Sequence, residues 1–150
     1  VRRVLKRGGR AVVMLYHRDS YNYRVNIRLL RKAGARLLRT EGGVKLARAL
    51  TGEPEGSLRE HAARLKADAE EYLSPEEFLS RNTDGAGNPL TRVYSRREAR
   101  ELFKEFARVR LATHFLNKRW LPVVGPLLPR AWEARLASRW GWHLWIYAEK

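Results

Sequence analysis

The stretch Ala11-Val12-Val13-Met14-Leu15-Tyr16 runs without a polar break. An unbroken apolar run of strand length reads as a strand buried on both faces, the kind found inside a parallel sheet. Such a strand needs neighbours on either side. The rest of the chain must supply them, and it offers few candidates.

With 150 residues, 44% of them hydrophobic, the chain has the material for one domain with a core. It contains no cysteine, which excludes disulfides and thiolate metal sites and is compatible with a reducing cytoplasm. No run approaches the ~18 apolar residues that suggest a membrane span. Arg2-Arg3 ahead of the apolar run imitates a signal peptide. The run is too short for that role, and no small-residue cleavage site follows it. The expected location is cytoplasmic, with association at a membrane surface left open.

The net charge is +15, a value that attracts any polyanion. Residues 1–41 hold 12 basic and 2 acidic side chains, residues 42–80 hold 5 and 8, and residues 81–150 hold 14 and 6. Of the 31 basic residues 24 are Arg, spread through most segments, so a solvated basic surface accounts for them. Neither zinc-finger spacing nor the aromatic-glycine signature of an RNA-recognition fold occurs, and no specific nucleic acid is expected as partner.

Residues 1–7 read as the tail of a helix that Gly8 or Gly9 ends in the left-handed conformation. A strand over 11–17 follows. From Ser20, the residues Tyr21, Val25, Ile27, Leu29, Leu30 and Leu37 suggest a helix broken at Gly34, and a short helix fits between Gly43 and "TGEPEGS". Ser57 with Glu60, Ser74 with Glu77 and Ser95 with Glu98 each have the spacing of a capping box. In that motif a hydroxyl accepts from an orphan N–H and a carboxylate reaches back to the cap N–H. Pro75 suits the first helical position. The first box starts a helix with Leu58, Ala62, Leu65, Ala69 and Tyr72 on one face, and the third starts one with Ala99, Leu102, Phe103 and Phe106 inward. Strands over 108–115 and 142–148 close the pattern, with a helix from about Pro129 to Trp140 between them.

The segment "RRVLKRGGRAVVMLYH" resembles the part of class I S-adenosylmethionine-dependent methyltransferases in which a helix ends in a Leu-Lys-x-Gly-Gly turn and leads into the fifth strand. "VYSRREARELFKEFARVRLATHF" resembles the next helix and sixth strand, and "WGWHLWIYAEK" the last, antiparallel strand. The resemblance spans residues 1–150 as the C-terminal half of such a domain, with 35–92 as a helical insertion. It implies an α/β fold: a partial Rossmann-like methyltransferase sheet made of the last three strands. The strand at 142–149 is then expected antiparallel between 11–16 and 108–115, with an open edge at 11–16. It also implies S-adenosylmethionine as cofactor and the N-terminal half of the same domain as partner. The glycine-rich loop that would hold the donor has no counterpart here, because "DGAGNP" stands in the wrong context. The chain alone is therefore expected to be inactive.

Ligands of open α/β sheets lie outside the carboxyl ends of the parallel strands, which singles out Tyr16, His17 and Asp19. His17 suits a catalytic base that takes a proton from an acceptor hydroxyl or amine. A polar strand-end side chain bonded to backbone is the plain alternative. Asn88, Arg92 and Tyr94, in "NTDGAGNPLTRVYS", are candidate substrate-binding residues, and Arg92 suits a carboxylate or phosphate. His61 reads as a solvated helix residue, His114 and His143 as sheet-surface residues. Four scattered histidines have no metal spacing, so no metal is expected.

Trp120, Trp132, Trp140, Trp142 and Trp145 are interleaved with Lys118, Arg119, Arg130, Arg135 and Arg139. Packing of the last helix on the last strand would use most of these rings. A membrane interface would use the same residue types differently. The leading expectation is a methyltransferase acting on a small-molecule or lipid-like acceptor. The alternatives are a basic nucleic-acid-binding module, which needs Arg clustered on one face, and a peripheral membrane-binding module.

Overall fold

A computed structural model of the protein describes residues 1–85, 87–118, 121, 125 and 127–150. The chain is mixed α/β and divides into two compact units, Val1–Arg24 with Val93–Lys150, and Val25–Arg92. The first unit carries the sheet: β1 (Arg10–His17), β2 (Val93–Tyr94), β3 (Arg108–His114) and β4 (His143–Glu149), in the order β2-β1-β4-β3. β4 runs antiparallel to both β1 and β3, so it lies between two strands that share a direction, as expected. The expected three-strand sheet with an open edge at 11–16 is corrected: a fourth strand, β2, pairs parallel to β1 at Tyr16↔Val93 and His17↔Tyr94 and so closes that edge at Tyr16. Among the described residues, the rest of that edge of β1 has no strand beside it.

The helices, in chain order, are α1 (Lys32–Gly34), α2 (Gly43–Thr51), α3 (Glu55–Ala67), α4 (Ala69–Leu73), α5 (Pro75–Thr83), α6 (Arg96–Leu102) and α7 (Arg130–Trp140). A π-helix over Asn22–Arg31 precedes α1. None of the described helices is long and apolar enough to cross a membrane.

β1 is not buried on both faces. Ala11 and His17 are buried, Val13 and Leu15 pack on the core, and Val12 and Met14 are exposed at 57% and 38%. The reason is that α6 and the turn after it cover one face. Ala99, Phe103 and Phe106 meet Leu144, Ile146 and Ala148 of β4 together with Val109 and Leu111 of β3. The opposite face presents the cross-strand rows Val12–Tyr147–Arg110 and Met14–Trp145–Ala112. There the Arg110 guanidinium lies 4.6 Å from the centre of the Tyr147 ring.

Several local expectations are corrected. Residues 1–7 form no helix tail. A 3-10 turn, Arg2–Val4, is followed by extended Leu5, although Gly8 does take a left-handed φ of 73°. α3 begins at Glu55 with Pro54 as cap, which leaves Ser57 inside the helix. Ser74 is an N-cap with Pro75 behind it but makes no side-chain cap bond, whereas Ser95 and Glu98 complete the reciprocal box. Leu102 is exposed rather than inward. α7 buries only Ala137, so Trp132 and Trp140 point to solvent instead of packing on β4. Trp142 is buried and Trp145 half-buried, while Trp120 and Arg119 lie outside the described residues.

In the second unit Leu58, Leu65, Tyr72, Phe78 and Leu79 form a core between helices. His61 is buried there, not solvated, and its Nδ1 lies 2.6 Å from the Tyr72 hydroxyl. His61 stands three residues after Leu58 and four before Leu65, on the face of α3 that helix-on-helix packing covers.

Candidate functional site

The carboxyl end of β1 brings His17 to Asp19 and Tyr94, while the Tyr16 side chain points to the opposite face of the sheet. The sheet positions His17. The His17 N–H donates to the Trp142 carbonyl at 2.8 Å, and the Arg18 N–H donates to the Tyr94 carbonyl at 2.9 Å. A turn follows, in which the Ser20 N–H reaches back to the His17 carbonyl at 3.2 Å. Buried Ser20 then accepts from the Tyr23 N–H through its hydroxyl at 3.1 Å, which starts the π-helix.

His17 is 1% exposed. Its Nδ1 lies 3.1 Å from the Gly141 carbonyl. A carbonyl only accepts, so that contact places the proton of the neutral ring on Nδ1 and leaves the lone pair on Nε2. Nε2 is buried with no hydrogen-bond partner among the described residues, and the Asp19 carboxylate is 3.9 Å away. Burial lowers the His17 pKa below its ordinary value. The Gly141 carbonyl and Asp19 oppose that, while Arg96 and Arg24 reinforce it. The ring is therefore a neutral base with its acceptor nitrogen unused.

The charged neighbours are paired. Asp19 is bound by Arg24. Arg18 meets Glu98 at 2.9 Å and donates to the Val93 carbonyl at 3.2 Å. Arg96 donates to the Thr113 hydroxyl at 2.9 Å and to the Ser138 carbonyl at 3.1 Å. Tyr16 stacks on Trp142 with ring centres 4.6 Å apart. Gly141, Trp142 and Arg96 carried no signal in the sequence, because each reaches His17 from a distant part of the chain.

Asn88 and Arg92 belong to the helical unit, whereas Tyr94 belongs to the sheet unit. The Asn88 amide donates to the Thr91 hydroxyl at 2.6 Å and to the Ser80 carbonyl at 3.3 Å, which ties its loop to the end of α5. Arg92 is exposed. His143 is half-buried on the uncovered face, stacked on Phe115 at 4.7 Å, and His114 is exposed there, both as sheet-surface residues. Two clefts lie away from His17. One, of about 310 Å³, is flanked by Arg10, Arg108 and Arg110, and the other, of about 730 Å³, lies between Phe115 and α7. Among the described residues no three His, Asp or Glu side chains converge as a metal site.

Comparison of the chain with protein-family models, with curated proteins and with solved structures finds no match.

Proposed function

We propose that the chain is the C-terminal portion of a class I S-adenosylmethionine-dependent methyltransferase domain whose acceptor is a small or lipid-like molecule. The observation that carries the reading is β4, antiparallel between two strands of common direction, with a buried neutral histidine at the carboxyl end of β1. The first is the strand order that the resemblance implies, and the second lies where ligands of open α/β sheets bind.

The described residues do not fit the donor. The turn after β1 contains Arg18, Asp19 and Ser20 and no glycine, and Gly8 and Gly9 precede the strand instead of following it. On this reading the donor is held by a preceding part of the domain, and no donor chemistry is assigned to this chain. Its own contribution is on the acceptor side. Nε2 of His17 takes the proton of the acceptor, and Asp19, 3.9 Å away, stabilises the imidazolium that results.

Calorimetry of the 150-residue chain with S-adenosylmethionine should show no measurable heat of binding. In a polypeptide that includes the preceding part of the domain, His17→Ala should lower turnover by roughly 10²–10⁴-fold with donor affinity unchanged. Micromolar donor binding by residues 1–150 alone would overturn the half-domain reading. Unchanged turnover in the variant would remove His17 from the mechanism.

A further inference from the structure

α7 is a helix that the protein scarcely uses for packing. Ala137 is its one buried residue, while Trp132 and Trp140 are 56% and 43% exposed and Leu127, just before the helix, is 80% exposed. Trp132, Leu136 and Trp140 recur at four-residue spacing and so form one ridge. Arg135 and Arg139, also four apart, form the ridge beside it. Ala137 lies about 140° around the helix from Trp132 and about 160° from Arg135 and Arg139, so these three are on the side away from the core, while Trp140, about 60° from Ala137, is exposed at the end of the helix.

The charge on this surface has one sign. Glu133 is the sole acidic residue of α7, and Lys118 neutralises it at 3.2 Å. The Arg139 guanidinium lies 5.4 Å from the centre of the Trp140 ring, which leaves a cation and an indole side by side. The sequence of the whole sheet unit holds 19 basic and 6 acidic side chains, against 12 and 10 in the helical unit. The positive excess therefore belongs almost entirely to the unit that presents α7.

We propose that the exposed side of α7 seats the protein on an anionic lipid surface, with Trp132, and Trp140 at the end of the helix, in the headgroup–acyl boundary and Arg135 and Arg139 on lipid phosphates. Indole rings favour the headgroup level, and arginine stems reach phosphates while covering apolar surface. A nucleic acid would satisfy the arginines but offers no apolar phase for Leu136. The inference does not rest on the methyltransferase reading.

The test uses the unmodified chain with vesicles of phosphatidylcholine alone and of phosphatidylcholine with phosphatidylglycerol. Association with the anionic vesicles should shift tryptophan emission to the blue, and brominated phosphatidylglycerol should quench it. Binding should weaken as salt is added. Each arginine near an anionic surface changes partitioning by about fivefold, so Arg135→Gln with Arg139→Gln should weaken binding about 25-fold. Trp132→Ala with Trp140→Ala should remove most of the brominated-lipid quenching. All four side chains are exposed, so both double variants should keep the far-ultraviolet circular dichroism of the parent. The proposal fails if anionic vesicles do not bind, or if both double variants bind as the parent does. It fails equally if single-stranded DNA binds as tightly and brominated lipid leaves the emission unquenched.

Discussion

His17 and Gly141, 124 positions apart, are joined by a hydrogen bond of 3.1 Å from the imidazole Nδ1 to the glycine carbonyl. That bond fixes the ring where the end of β1 meets the start of β4. It also selects the tautomer whose other nitrogen, Nε2, faces the Asp19 carboxylate at 3.9 Å.

The pH dependence of stability follows from His17 and His61. Burial lowers both pKa values relative to the unfolded chain. The unfolded chain then binds protons first on acidification. Their contribution is complete above about pH 6.5 and is lost as pH falls toward the folded values. Each histidine adds a slope of at most about 1.4 kcal/mol per pH unit in that window. Urea unfolding between pH 7.5 and 5 should show falling stability on the acid side. Imidazole resonances of both residues should titrate below the free-histidine value, and titration above it would refute the burial argument.

Gly141 has little room for a side chain. A Cβ there would stand 2.3 Å from the His114 carbonyl oxygen and 2.4 Å from that of Ala137, both backbone atoms. Gly141→Ala must shift one of those segments, at a cost of about 1–3 kcal/mol. The shift should also move the His17 resonances through the carbonyl they share. Denaturation midpoint and imidazole spectra together check it, and an unchanged midpoint would show that the backbone yields freely.

Two serines of the same local pattern should behave oppositely. Ser95 accepts from the Glu98 N–H at 3.2 Å, and the Glu98 carboxylate returns a bond to the Ser95 N–H at 2.8 Å. Ser95→Ala should cost about 1 kcal/mol. Ser57 is inside α3, where alanine is the better helix former, so Ser57→Ala should be neutral or stabilising by about 0.5 kcal/mol. Equal losses in thermal unfolding would contradict the placement of the α3 start.

The one-sided sheet makes a similar contrast. Ile146 is fully buried on the covered face, and Ile146→Ala should cost about 2–5 kcal/mol. Val12 is exposed on the other face, and Val12→Thr should change stability by no more than about 0.5 kcal/mol. A large loss at Val12 would mean that its face is covered in solution.

What the sequence by itself determined is what a few consecutive residues decide. The alternation Leu144, Ile146, Ala148 dictates a strand with one inward face, because side chains of a strand point alternately to its two sides. Ser95 with Glu98 dictates a helix start, because donor and acceptor lie within one turn of each other. Gly8 dictates a turn, because its φ of 73° suits glycine above other residues. The tertiary structure alone decided which faces were covered. Val12 and Met14 are as apolar as Val13 and Leu15, yet only the latter two meet the layer formed by α6 and the turn after it. Ser57 and Ser95 share a spacing, but Pro54 and Glu55 begin α3 early and leave Ser57 with no helix end to cap. His17 became buried, and Trp132 and Trp140 stayed exposed, through contacts made or absent far along the chain. Burial is a property of partners brought together from a distance, and no window of neighbouring residues contains them.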